Sequence, residues 1–136
     1  MKAKDLKLIV QEKYGQIART NPVMEKSSCC STSGCCGELE FSMIGDDYSK
    51  LEGYNPDADL GLGCGIPTHF AAIRTGDSVL DLGSGAGNDC FVARAIVRDT
   101  GFVTGLDFTE ALVAKAKENI KIIGFKLFKP FSLGQG

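Results

Sequence analysis

Three glycines at alternate positions, Gly83, Gly85 and Gly87, stand in the stretch VLDLGSGAGNDC, residues 79–90, after a short apolar run and before a segment with helical patterning. Glycines so placed let the backbone turn sharply at a strand end and approach a ligand closely, with the first N–H groups of the next helix aimed at the same spot. A dinucleotide fingerprint needs glycine at the first, third and sixth positions; the sixth here is Asn88, so the loop reads G-x-G-x-G instead. An acid, Asp81, stands two residues before Gly83, and a carboxylate held at that turn repels a phosphate and attracts a cation. A second acid, Asp107, lies 20 residues beyond Gly87, where a carboxylate can accept both hydroxyls of a ribose. A cation joined to a ribose is the chemistry of S-adenosylmethionine, a nucleoside carrying a sulfonium centre and an amino-acid moiety. The plainer alternative, a tight strand-to-helix turn without a ligand, accounts for the glycines but leaves both acids unexplained.

The cysteines are the other chemistry-bearing group. Four of the six, Cys29, Cys30, Cys35 and Cys36, fall within SSCCSTSGCCG, residues 27–37, while Cys64 stands between Gly63 and Gly65 and Cys90 follows the glycine loop. In a reducing compartment, clustered thiols are more often ligands or nucleophiles than disulfides. Adjacent cysteines reach a single tetrahedral ion awkwardly, which disfavours structural zinc. A loop that holds a metal or metalloid without catalysis, or one that is thiol-rich by accident, remains an alternative. Cys90 reads as a buried hydrophobe and His69, the only histidine, as a surface or capping residue.

Periodicity supplies the elements that must position these groups. Residues 3–18 form an amphipathic helix whose apolar face, Leu6, Ile9 or Val10, Tyr14 and Ile17, is expected to dock. Residues 20–37 lose all periodicity and read as a loop whose order depends on a ligand or partner, and 39–48 are ambiguous between strand and turn. GYNPDADLGLGCGIPTHF is an ordered loop presenting Cys64, with Pro67 opening a helix to about Ile73. A strand over 78–82, a helix over 88–97, a strand over 102–106 and a helix over 109–122 then follow, the last capped by Asp107 or Thr109. This order predicts an α/β unit with parallel strands and a right-handed crossover. The glycines then lie at the carboxyl end of the first strand, where open α/β sheets bind ligands.

Composition removes several classes. With 15 basic against 17 acidic residues, a net charge of −2 and no Lys/Arg stripe, no nucleic-acid partner is expected. No apolar run approaches the roughly 20 residues that span a bilayer, and MKAKDLKLIVQEKYGQIA lacks a signal-peptide core, so the expectation is no membrane partner and a cytoplasmic location.

VLDLGSGAGNDCFVARAIV, LEGYNPDADLGLGCGIPT and the upstream Cys-Cys pairs together resemble the arsenite methyltransferases, a branch of the class I S-adenosylmethionine-dependent methyltransferases, over roughly residues 1–125. The resemblance implies the N-terminal part of a Rossmann-like class I fold, a parallel sheet with flanking helices, preceded by a helix and a Cys-rich loop. It also implies methyl transfer to trivalent arsenic, arsenite or its thiol conjugate, held by thiolates. Cys64 matches the family cysteine ahead of the cofactor site; its partner is one of Cys29, Cys30, Cys35 and Cys36, with Cys35 and Cys36 favoured, and Cys64 with Cys36 as the catalytic pair. Cofactor contacts then fall on Asp81, Gly83, Ser84, Gly85, Gly87, Asp107 and Phe108. The implied layout is an arsenic-binding segment over 1–50, the start of the cofactor domain over 51–125 and a divergent tail over 126–136. After Phe125 the chain reads KLFKPFSLGQG and leaves the pattern. Only two strands are therefore expected, in a truncated product whose bare edges invite pairing between copies. Methylation of a small organic acceptor keeps the cofactor and drops the arsenic.

Overall fold

The computed structural model describes residues 3–20, 46–63 and 65–124, together with the backbone of 128–132. Its elements are helix α1 (Ala3–Arg19), strand β1 (Ser78–Leu82), helix α2 (Asn88–Val97), strand β2 (Phe102–Asp107), helix α3 (Glu110–Ile123) and strand β3 (Phe128–Ser132). The strands run parallel in the order β1-β2-β3, with Ser78 opposite Phe102 and Val103 opposite Phe128.

The third strand was not expected, because the chain leaves the family pattern after Phe125; the strand itself contains Pro130, which lacks an N–H. β3 is tolerated where it stands because it forms an edge among the described strands, where one side of the backbone needs no ladder partner. The helix expected from Pro67 to Ile73 is also corrected: it is a single 3-10 turn, Pro67–His69, ended by the Phe70 N–H on the Pro67 carbonyl. His69, in the last position of that turn, is exposed.

α2 lies between two apolar surfaces and is buried nearly all round. Cys90, Phe91, Ala93 and Val97 belong to a core with Val103 and Ala116, while Val92 packs with Tyr48 and Ile66 from the preceding segment. Gly53 makes this second contact possible, because a Cβ there would run into the Phe91 carbonyl. On β2 the buried positions are Val103, Gly105 and Asp107, matched on β1 by half-buried Val79 and Asp81. The opposite face is bare, with Leu80 and Leu82 60% and 71% exposed.

The docking of α1 differs from expectation. Leu6, Ile9 and Tyr14 remain exposed while Val10 and Ile17 are half-buried, and buried Gly15 of α1 faces Ala111 of α3. Gln11 Nε2 also donates to the Phe108 carbonyl at 2.8 Å, a polar tie beside this contact.

Candidate functional site

The glycine turn is anchored before it bends. Gly83 and Ser84 both donate their N–H groups to the Leu106 carbonyl, at 2.7 and 3.1 Å, which ties the end of β1 to β2. Gly83, Gly85 and Gly87 have φ of +80°, +54° and +99°, a left-handed backbone that side chains strain. A Cβ at Gly83 or Gly85 would meet no atom within 4 Å. The space in front of the turn is therefore kept open, and Gly87 caps α2 behind it. From the other side, buried Asn119 of α3 donates to the Ala86 carbonyl at 3.3 Å and holds the loop against the core.

The two predicted acids occupy adjacent strand ends but are bound differently. Asp107 is buried; its Oδ2 accepts the Gly85 N–H at 2.9 Å and its Oδ1 the Thr109 N–H at 2.7 Å. Of the two residues expected as caps, Thr109 holds the N-cap position of α3 without a side-chain cap bond, and Asp107 binds the Thr109 N–H ahead of the helix. Each Asp107 oxygen keeps a lone pair for a further donor. Asp81 accepts from the Cys90 thiol at 3.2 Å. Burial raises the Asp81 carboxyl above the usual range, the thiol pulls it partly back and the Asp107 charge raises it further. Cys90 is fully buried, as expected, and burial, followed by the Asp81 charge, pushes its thiol up.

In front of the turn lies a cleft. Gly83, Ser84, Gly85, Ala86, Asn88 and Asp89 form one wall; Tyr48, Ala58, Asp59, Leu60, Leu62 and Gly63 form the other, with Leu112 between. Of the predicted cofactor residues, Gly83, Ser84 and Gly85 line it. Gly87, Asp81 and Asp107 stand behind the lining, and half-buried Phe108 faces α1 through its carbonyl. Cys35, Cys36 and Cys64, and likewise Cys29 and Cys30, lie outside the described residues.

Sequence reasoning passed over Tyr48, Asp59 and Asp89. Tyr48 is buried and its hydroxyl lies 2.8 Å from Asp89 Oδ1 and within hydrogen-bonding distance of the Gly65 carbonyl. Burial and the Asp89 neighbour push its phenol up. Asp59 and Asp81 both act on Asp89, whose carboxyl is raised chiefly by burial. The acids spaced through GYNPDADLG were the available signal, since a loop that faces solvent has no need to aim them at a glycine turn.

A cleft with Asp59 in its lining, and with Asp81 and Asp107 at the strand ends beside the turn, set against open, positive-φ glycine backbone, fits a cation and offers no cationic side chain among its lining residues to a pyrophosphate. The donor set therefore suits S-adenosylmethionine. Residues 73–132 match the family model described as a methyltransferase domain. The arsenite methyltransferase of Halobacterium salinarum is 42% identical over 72% of this chain and 30% of its own length. Those of Aquipseudomonas alcaligenes and Homo sapiens are 31% and 30% identical, over 82% and 80% of this chain and 30% and 27% of theirs. The chain carries methyltransferase-domain sequence over residues 73–132 and is similar to the arsenite methyltransferases. It spans about 30% of the length of these relatives. The expected fold class and the expected cofactor, S-adenosylmethionine, stand with this finding. The family match also runs beyond residue 125 and takes in β3, whose backbone completes the three-stranded sheet. Among the described residues no helix is long and apolar enough to cross a membrane.

Proposed function

We propose that this chain forms the cofactor-binding part of an S-adenosylmethionine-dependent arsenite methyltransferase, and that it acts on trivalent arsenic held by Cys64 together with Cys36 or Cys35. The observation that carries this reading is the cleft itself: open glycine backbone at Gly83 and Gly85, the Asp59 carboxylate, and in its lining Gly63, the residue before Cys64. When bound, S-adenosylmethionine supplies an electrophilic methyl group on a sulfonium centre. Gly83, Ser84 and Gly85 would hold it by main chain, Asp81 and Asp107 would supply negative charge behind the turn, and Asp107 has lone pairs left for ribose hydroxyls. Thiolates suit a soft centre such as As(III) and leave its lone pair free as the nucleophile. No general base is then needed, and alignment of donor and acceptor carries the rate.

Calorimetry with S-adenosylmethionine, then with As(III) on the reduced 136-residue chain, tests the two halves separately. A Gly85→Val substitution is expected to weaken cofactor binding at least about ten-fold, or ~1.4 kcal/mol, by filling the open space and straining a left-handed residue. Cys64→Ser is expected to abolish tight As(III) binding and leave cofactor binding intact. Cofactor binding without As(III) binding would point to an organic acceptor; As(III) binding without cofactor binding would leave only a thiol module.

A further inference from the structure

The Tyr48 hydroxyl faces two acceptors at once, the Gly65 main-chain carbonyl and Asp89 Oδ1. A phenol carries one proton and a carbonyl oxygen none. Were Asp89 ionised, one of the two would face a phenol lone pair across a part-buried contact, where an unmet polar group is costly. One arrangement lets the three groups satisfy one another: the Asp89 acid donates to the Tyr48 oxygen, and Tyr48 donates to Gly65.

We propose that Tyr48 and a protonated Asp89 are positioning residues, a two-proton relay that pins the segment 61–66 to the first turn of α2. The groups around Asp89 support this. Burial is the largest influence and disfavours its charge, the Tyr48 hydrogen bond from the preceding segment acts the other way, and Asp81 from β1 and Asp59 from the loop disfavour the charge further. The pinned segment carries Cys64, so the relay deepens the proposed function and rests on it for its purpose: it joins the thiol-bearing loop to the wall that would hold the methyl donor. The tie is independent of the apolar contacts of Tyr48 with Ile66 and Val92, which a phenylalanine would keep.

The test uses the whole chain without ligand. Hydrogen exchange of the peptide covering 61–66 is expected to speed up about five-fold in Tyr48→Phe and in Asp89→Ala, the loss of one hydrogen bond, while Asp89→Asn, whose amide can donate as the acid does, stays near the parent. In the parent, the Asp89 side-chain carboxyl carbon, assigned by its disappearance in Asp89→Asn, should show the protonated shift to a pH above the ordinary carboxylate range. Tyr48→Phe should change that titration. An Asp89 that titrates in the ordinary carboxylate range, or an Asp89→Asn exchange rate equal to that of Tyr48→Phe, overturns the relay. Neither readout involves arsenic or cofactor, so failed As(III) binding beside an intact relay would count against the proposed function alone.

Discussion

Asp81 and Asp107 end neighbouring parallel strands and look interchangeable in the sequence, yet they are opposites in the fold. Asp107 is a tie: two main-chain N–H groups, from Gly85 and Thr109, converge on its oxygens. Asp81 has a thiol for a donor, in a half-buried position beside a second acid. A carboxylate met by backbone donors is held as part of the fold, whereas one that is desolvated and weakly met stands ready for a cation. The difference assigns one acid mainly to structure and the other mainly to binding.

Removing each acid separates these roles. Asp107→Ala is expected to destabilise the chain by about 3 kcal/mol in urea unfolding, because two hydrogen bonds to a charged acceptor go and the buried Thr109 N–H is left unmet. Asp107→Asn keeps one acceptor oxygen and should lose about half as much. Asp81→Ala should change stability by less than about 1 kcal/mol, since it removes a carboxylate whose charge is disfavoured by burial. Equal losses for the two alanine variants would erase the distinction.

A smaller effect, on binding, sharpens the same contrast. The Asp81 carboxyl is raised in the free protein, so it is ionised only above its shifted value, and a cation is attracted to the ionised form. Affinity for S-adenosylmethionine is therefore expected to rise with pH through that window and then level off, at up to about ten-fold per pH unit below it. The stability of the free protein runs the other way: a carboxyl raised above its unfolded value favours folding at low pH and loses that contribution as pH rises through the raised value. Calorimetric titrations across pH 4 to 8, repeated on Asp81→Asn, check this, and an identical slope in the variant would remove Asp81 from the site.

The contrast also marks where sequence reading reaches its end. The bounds of β1 and α2, the turn at Gly83 to Gly87 and the place of both acids were legible because periodicity, left-handed glycine and strand-end chemistry are local properties. What was hidden depends on distant partners. Tyr48 reads as one aromatic in a charged stretch until the fold sets it against Asp89, 41 residues later. The exposure of Leu6, Ile9 and Tyr14 cut the periodicity argument back to Val10 and Ile17, because how much of an apolar stripe is covered depends on the surface it meets, here α3 around Ala111. β3 was hidden because KLFKPFSLGQG leaves the family pattern, and whether a short segment with a proline can pair depends on the strand beside it, which is a fact of topology.

Cys90 provides the finest test of the two acids. A thiol is a weak donor, and its bond to Asp81 Oδ2 lowers the carboxyl against the larger effect of burial. Cys90→Ala removes that donor, so Asp81 should rise further and the midpoint of the affinity-versus-pH curve should move up by about half a pH unit, the equivalent of a hydrogen bond of ~0.7 kcal/mol. Cys90→Ser, with a stronger donor in the same place, should bring the midpoint back or below the parent. Asp107, which the thiol does not touch, predicts no change in either variant. A midpoint that stays put when Cys90 is replaced by alanine would mean that the cation senses Asp107 after all, and the division of labour between the two strand ends would fall.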